Sequence, residues 1–256
     1  MQESAWPIEN LVRTLLLIPI LRRLLLLAAF LAVPLVAAEL IARKLIGDAV
    51  AHAVQARIGV APKIGFGSTP LLLQIIHGRL SEVTVSAERA HIDGLPPLAL
   101  TATLRDVHLR SVTGLEGAIG ALRIEAQLPP DGVRDLLATP ACVDPLPPAI
   151  LAGLTRSPRV ELFPGRIDLL APRGRASEVR FRPYAAGSSV DFAVIGLEQA
   201  GAPVAATTLA AVRERTHCSR ALDASPFGVS LVSARALAGA LELSFAGSDA
   251  SFSALG

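Results

Sequence analysis

The sequence predicts an α+β protein, with one or more curved antiparallel sheets, helices packed on one side, and an enclosed hydrophobic groove. Three observations lead to this prediction. Apolar residues recur every three or four positions between 41 and 58, which is the period of an amphipathic helix. Apolar and polar residues alternate through most later segments, which is the period of a strand. Hydrophobic residues make up 52% of the 256 residues, which is enough for a large core.

The amino terminus predicts a signal or anchor helix. An uncharged apolar segment runs from Leu24 to Ala38, directly after Arg22 and Arg23. Such a helix reaches only about 22 Å, against roughly 30 Å of bilayer hydrocarbon. Residues 1–38 are therefore either a cleaved secretory signal ending at Ala38 or a short, tilted, uncleaved anchor. In both interpretations residues 39–256 form an exported domain outside the cytoplasmic membrane.

Two helices are predicted at the start of this domain. The first lays one apolar face on another apolar surface, and that face comprises Ile41, Ala42, Leu45, Ile46, Ala49, Val50, Ala53, Val54 and Ile58. The second is short and apolar on nearly all sides. It has Ser68 as a cap, Pro70 in its first turn and Gly78 as its end.

Two strands follow, and in both the apolar residues change parity partway along. Between Leu80 and Ile92 the change falls at Glu88-Arg89, and between Leu98 and Leu109 it falls at Arg105-Asp106. Because side chains alternate strictly along a strand, each change predicts a bulge that bends the sheet. Asp93-Gly94 supplies a turn between the two strands.

The remaining chain predicts further strands and short helices. A strand is expected over residues 117–128, and a proline-rich connector over 139–158 marks a possible seam between two halves. Hairpins follow it, then a helix from Thr207 to about His217, and a last hairpin that begins near Phe227. The two cysteines, Cys142 and Cys218, are either a disulfide, which fits an oxidising compartment, or two unpaired thiols.

Several classes of site are not indicated. The five histidines lack metal-ligand spacing, and no GxSxG turn is present for a serine nucleophile. Gly65-Phe66-Gly67-Ser68 lacks the later glycine and lysine of a phosphate-binding loop. No cluster of basic and aromatic residues points to nucleic acid. The sequence therefore predicts no catalytic residue, no metal, no cofactor and no nucleic-acid partner.

Short motifs resemble those of one protein family. They are Ile64-Gly65-Phe66, Pro70-Leu71-Leu72, Gly78-Arg79-Leu80, Glu82-Val83-Thr84-Val85, and near the end Ser225-Pro226-Phe227-Gly228-Val229 with Gly247-Ser248-Asp249. They are similar to the LmeA-like phospholipid-binding family of actinobacterial envelope proteins. The resemblance implies an exported, lipid-binding, non-enzymatic protein, and it carries no catalytic residues.

A candidate lipid site follows from apolar side chains in excess of what one buried helix face needs. The proposed lining is Leu45, Ala49, Leu71, Leu72, Leu73, Ile75, Ile76, Val83, Val85 and Leu100. His77, Arg79 and Arg89 are candidates for contacts to a phospholipid head group. The alternative for the short helix is an ordinary core element. The alternative for the protein is an anchored envelope domain that scaffolds a partner such as a glycosyltransferase, and an enzyme acting on lipid-linked sugars is a third hypothesis.

Overall fold

The computed structural model describes residues 8–91, 95–111, 116–154, 158–172, 177–222 and 228–253. The helices are α1 (Ile8–Ile58), α2 (Leu71–Ile76), α3 (Pro130–Leu137), α4 (Pro140–Val143), α5 (Pro148–Leu154) and α6 (Ala206–Arg215). The strands are β1 (Lys63–Phe66), β2 (Arg79–Ala90), β3 (Leu98–Ser111), β4 (Glu116–Leu128), β5 (Arg159–Phe163), β6 (Arg166–Leu170), β7 (Glu178–Ala186), β8 (Ser189–Gln199), β9 (Ala202–Pro203), β10 (Ser219–Ala221), β11 (Ser230–Leu237) and β12 (Ala240–Ser253). The predicted Asp93-Gly94 turn, Ile92 and Ser225-Pro226-Phe227 lie outside the described residues.

The strands form two antiparallel sheets, which confirms the predicted α+β class. The first sheet has the order β1-β2-β3-β4-β12-β11. The second has the order β10-β8-β7-β6-β5, with β9 beside β8. Buried apolar residues from both sheets and from α3 to α5 belong to one core cluster. The last hairpin, β11–β12, lies beside β4, so the first sheet contains both the first and the last strands of the chain.

The first sheet bends along a row of residues that crosses four neighbouring strands. The row is Ser81, Asp106, Gly120 and Asp249. Asp106 and Asp249 have positive φ angles of 52° and 55°. On β3, the apolar residues that lie in or pack against the core have even numbers up to Leu104 and odd numbers from Val107, which confirms the predicted change of parity.

The pairing of the strands does not change at this row. Leu80 pairs with Val107 on one side of the row, and Glu82 pairs with Arg105 on the other, so no residue is lost between β2 and β3. Each strand carries its own extra residue, and the apolar side chains stay on one face of the bent sheet. The second predicted bulge, at Glu88-Arg89, appears as a register shift between Ala87 and Ala90.

Only part of the predicted apolar face of helix α1 packs against the rest of the protein. Ile46, Val54 and Ile58 pack against the core, as expected. Ile41 and Leu45, however, are 60% and 65% exposed, so the protein does not cover this part of the predicted apolar face. The inward face begins instead at the polar pair Glu39 and Arg43, which contacts the chain before α2. Among the described residues, no helix is apolar enough over sufficient length to qualify as a membrane span.

The two cysteines form a disulfide, so the interpretation as unpaired thiols is wrong. Cys142 lies in α4, within the proline-rich connector, and Cys218 lies between α6 and β10. Both residues are buried. The bond joins the connector to the far edge of the second sheet.

Candidate functional site

The carboxylate of Glu39 joins α1 to the amino terminus of α2. Its Oε1 accepts a hydrogen bond from the backbone N–H of Leu71 at 2.6 Å, and its Oε2 accepts one from the N–H of Leu72 at 2.9 Å. The Nε of Arg43 donates to the same Oε1 at 2.7 Å. These contacts satisfy N–H groups that a helix amino terminus leaves unpaired. The residue at the cap position is Pro70, so the prediction of Ser68 as the cap is wrong.

These hydrogen bonds lower the pKa of Glu39. The largest cause is the hydrogen bond from Leu72, followed by the one from Leu71, and the pKa falls overall from 4.5 to about 2. Arg43 adds a smaller effect in the same direction. The guanidinium of Arg43 also donates to the carbonyl oxygens of Gly67 and Thr69, at 3.3 and 3.1 Å. Arg43 therefore fixes the loop before α2 to helix α1.

Gln74 holds the other side of α2. Its side chain is 7% exposed. Its Nε2 donates to the carbonyl of Thr69 at 2.9 Å, and its Oε1 accepts from the N–H and the hydroxyl of Ser81 at 2.6 and 3.0 Å. Gly78, with φ of 63°, follows the helix and forms the predicted end. The short helix is thus fixed to α1 by one polar residue and to β2 by another.

The ten residues predicted to line a lipid site fall into three groups by exposure. Leu71, Val83 and Val85 are buried in the core, and Leu72, Ile75 and Leu100 are half-buried. Leu73, Ile76, Leu45 and Ala49 are exposed. Ile76 is the most exposed of the three large side chains in this last group, at 77%. The structure therefore places buried and exposed apolar side chains side by side on α2.

Exposed apolar residues on the two contacting helices α1 and α2 make up one candidate region. We call it the apolar corner, and its members are Leu40, Ile41, Leu45, Leu73 and Ile76. The two helices are in contact, and Glu39 bridges them within the stretch that carries these residues. Sequence periodicity assigned Ile41 and Leu45 to a buried face, so their exposure could be found only once the orientation of α1 was known.

The three residues predicted to contact a head group lie near α2 and β2. Arg79 forms an ion pair with Asp106 at 2.7 Å, and both side chains are exposed. The Nδ1 of His77 lies 2.6 Å from the carbonyl oxygen of Leu73, within the last turn of α2. Arg89 is exposed at the second bulge of β2. His77 and Arg79 thus stand next to the apolar corner, and each has a partner within the protein.

A cavity of about 750 Å³ lies on the second sheet, away from these residues. Its floor carries Arg182, Tyr184 and Asp191 from β7 and β8, and its wall includes Arg213 and His217. Sequence reasoning did not identify this site. Its members are far apart in the chain and match no motif, so only the pairing of β7 with β8 brings them together. Within the described parts of the chain, no group of three or more His, Cys, Asp or Glu side chains is placed to hold a metal ion.

Comparison with known proteins identifies a family for this chain. The family model described as LmeA-like phospholipid-binding matches residues 37–246, which is most of the chain. The match begins at the end of the uncharged apolar segment and covers α2, both sheets and the disulfide. No curated protein and no solved structure matches.

Proposed function

Because the chain belongs to the LmeA-like phospholipid-binding family, we propose that it binds phospholipid acyl chains on the outer side of the cytoplasmic membrane. In this role it supports the maintenance of envelope lipids or lipoglycans, by holding lipid or by transferring it. The function needs no bond to be made or broken, and we propose that the protein is not an enzyme. The observation that supports the proposal most directly is the apolar corner on α1 and α2.

The apolar corner offers the surface that an acyl chain requires. Leu73 and Ile76 are 53% and 77% exposed, on a helix whose opposite side is buried in the core. An acyl chain lying on these residues would remove their surface from water, and each buried methylene contributes about 0.8 kcal/mol. We propose that the half-buried Leu72, Ile75 and Leu100 extend this surface inward, toward Leu71, Val83 and Val85.

The location is proposed from the leader and the disulfide. Disulfides persist in oxidising compartments, and Cys142 and Cys218 are bonded. Helix α1 continues from the apolar corner toward the amino terminus, and it exposes Phe30, Val33, Leu35 and Val36. An exposed apolar helix surface of this kind suits a membrane. We propose that this part of α1 contacts the cytoplasmic membrane and brings the corner close to its lipids.

Lipid retention and transfer test the proposal. Protein purified from membranes, examined by native mass spectrometry, should carry an adduct of phospholipid mass. The same protein should move fluorescent phospholipid between liposomes. The double variant Leu73→Asn with Ile76→Asn should slow transfer by roughly tenfold or more, because each large apolar side chain contributes about 1.5–3 kcal/mol when fully buried.

The matched control is Val232→Asn. Val232 is 61% exposed on β11, which is an edge strand of the first sheet at the opposite end from β1. This variant also replaces an exposed apolar side chain by asparagine, and it should transfer lipid at the rate of the unmodified protein. Absence of both the lipid adduct and transfer would reject the proposal. Equal losses in the control and the double variant would show that the apolar corner is not the site.

A further inference from the structure

The cavity on the second sheet has a floor of polar side chains from one face of two strands. Arg182 and Tyr184 project from β7, and they alternate with Phe181 and Pro183, which are buried on the opposite face. Asp191 on β8 is paired with Tyr184, and Ala193 is paired with Arg182. The polar floor therefore lies on the side of the sheet that faces away from the core.

Arg213 forms one wall of the cavity and is held in place by the sheet. Its Nε donates to the carbonyl oxygen of Val194 at 2.8 Å, and its Nη2 donates to that of Ile195 at 2.9 Å. These bonds fix the last turns of α6 against β8. A guanidinium has five N–H donors, so three remain for another acceptor. The guanidinium of Arg213 is thus fixed at the cavity by two backbone carbonyl oxygens.

The carboxylate of Asp191 already accepts hydrogen bonds from neighbouring residues. Its Oδ1 accepts hydrogen bonds from the hydroxyls of Ser189 at 2.7 Å and Ser219 at 2.6 Å. Asp191 also accepts a hydrogen bond from Tyr184. Burial is the largest cause that raises the pKa of the Tyr184 phenol, and the charge of Asp191 and this hydrogen bond raise it further. The carboxylate of Asp191 is therefore held by the hydroxyls of two other lining residues, Tyr184 and Ser219, and by that of Ser189.

Arg182 has no such partner. Within the part of the chain that the structure describes, no hydrogen bond or ion pair joins its guanidinium to another residue. The lining carries two arginines and one aspartate, with His217 in addition, so its charge is positive. A guanidinium held by the sheet and a second guanidinium free to turn toward a ligand are groups that bind a phosphate through charge-assisted hydrogen bonds.

We propose that this cavity is a second binding site, distinct from the apolar corner, for a phosphate group carried on a small polar molecule. Arg182 binds the phosphate, and Arg213 supplies a fixed positive charge and further donors. The volume of about 750 Å³ exceeds what a single phosphate fills. The same chemistry is offered by a water-soluble phosphate ester and by the head group of an anionic phospholipid, and the experiment separates these two sources.

Calorimetric titration of the full chain with glycerol 3-phosphate at low ionic strength tests the site, with glycerol as the uncharged comparison. The phosphate ester should bind and glycerol should not. Arg182→Gln should weaken binding by about tenfold or more, since hydrogen bonds between charged groups are the strong ones. The affinity of Arg182→Lys should lie between those of the unmodified protein and Arg182→Gln, because lysine keeps the charge but lacks the planar guanidinium. Added salt should weaken binding further.

Arg235→Gln is the matched control. Arg235 is an exposed arginine on β11 of the first sheet and does not line the cavity. Equal weakening by Arg182→Gln and Arg235→Gln would overturn the proposal, because it would indicate a nonspecific effect of net charge. Absence of binding to every probe, including the vesicles described next, would also overturn it.

Vesicles identify the source of the phosphate. If the site takes a lipid head group, phosphatidylglycerol vesicles should bind more tightly than phosphatidylcholine vesicles, and Arg182→Gln should abolish the difference. If it takes a soluble ester, glycerol 3-phosphate should bind and the two vesicle types should not be distinguished through Arg182. The double variant Leu73→Asn with Ile76→Asn should leave titration with glycerol 3-phosphate unchanged, so the failure of one site is separable from the failure of the other.

Discussion

A single carboxylate organises the region around the apolar corner. Glu39 accepts three hydrogen bonds, one from Arg43 on its own helix and two from backbone N–H groups of α2. The helix α2 has no side-chain cap of its own and no acidic residue in its first turn. A carboxylate from another helix therefore performs the work of a cap and complements the positive end of α2. Its position sets how α1 lies against the sheet.

The depressed pKa of Glu39 predicts a particular pH dependence of stability. The folded pKa of about 2 lies below the ordinary value of 4.5, so the unfolded chain takes up this proton first as the pH falls. The stabilisation is complete above pH 4.5 and is lost between about pH 4.5 and pH 2. Glu39→Gln should be less stable than the unmodified protein at neutral pH. Its free energy of unfolding should also fall less steeply with acidification, as measured by urea denaturation at several pH values.

The control for this prediction is Glu88→Gln. Glu88 is also a surface glutamate with a basic partner, Lys63, at 3.3 Å, but both side chains are more than four-fifths exposed. An ion pair of this kind contributes little to stability. The slope of stability against pH in this variant should match that of the unmodified protein. If Glu39→Gln shows that same slope, Glu39 does not hold α2 through its charge.

Features of a helix or strand could be predicted from the sequence where the pattern that indicates them lies within that one element. The bends in β2 and β3 were visible in sequence because a change of parity is a property of one strand. The orientation of α1 was not visible, because its apolar residues cover more than one face and the choice between faces is made by Glu39 and Arg43. The ten residues proposed to bind lipid show the same limit. Their hydrophobicity is visible in the sequence, but whether each is buried or exposed depends on how the helices pack against the sheet.

The bend across the first sheet is a property of several strands together. Gly120 lies opposite Asp106 in the row, and a Cβ added at Gly120 would lie 2.9 Å from the Cβ of Asp106. That distance is shorter than carbon atoms can approach without a shift. The row therefore needs a glycine at this position so that Asp106 can keep its positive φ angle.

Gly120→Ala should consequently destabilise the protein by about 1–3 kcal/mol, which is the usual cost of inserting a methylene where there is no room. Gly65→Ala is the comparison in the same sheet, since a Cβ there would meet its nearest atom, in Thr84, at 3.7 Å, an ordinary contact. Chemical denaturation of both variants measures the difference. Equal stability of the two would mean that the row relaxes without loss, and that its geometry does not depend on glycine.

At the scale of the whole molecule, the arrangement of the two sheets depends on contacts that are distant in sequence. The strand β12 pairs with β4 along most of its length, although more than a hundred residues separate them. Nothing in the pattern of either strand identifies the other, because both alternate in the same way. Strand periods predicted the antiparallel class, and they could not predict which strands are neighbours. The cavity on the second sheet escaped prediction for the same reason.

The disulfide connects these long-range parts, and its removal gives a prediction for the whole fold. Cys142 and Cys218 are separated by 76 residues, which span the second sheet and α6. In the chain-entropy model a loop of this length stabilises the folded state by about 4 kcal/mol, and removal of a native disulfide typically costs about 2–5 kcal/mol. Denaturation in urea with and without a thiol reductant should show a loss in this range. Because the bond joins the connector to the edge of the second sheet, away from α1 and α2, folded reduced protein should still transfer lipid through the apolar corner.

The double variant Cys142→Ser with Cys218→Ser separates the bond from other effects of the reductant. It should unfold at the midpoint of the reduced protein, and it should not respond to reductant. An unchanged midpoint on reduction would mean that the native contacts of α4 and β10 alone restrain this loop. A loss of lipid transfer in reduced but still folded protein would mean that the two sheets act as one unit in lipid binding. In that case the disulfide would influence the apolar corner through the shared core, and the first sheet could not be treated as an independent binding element.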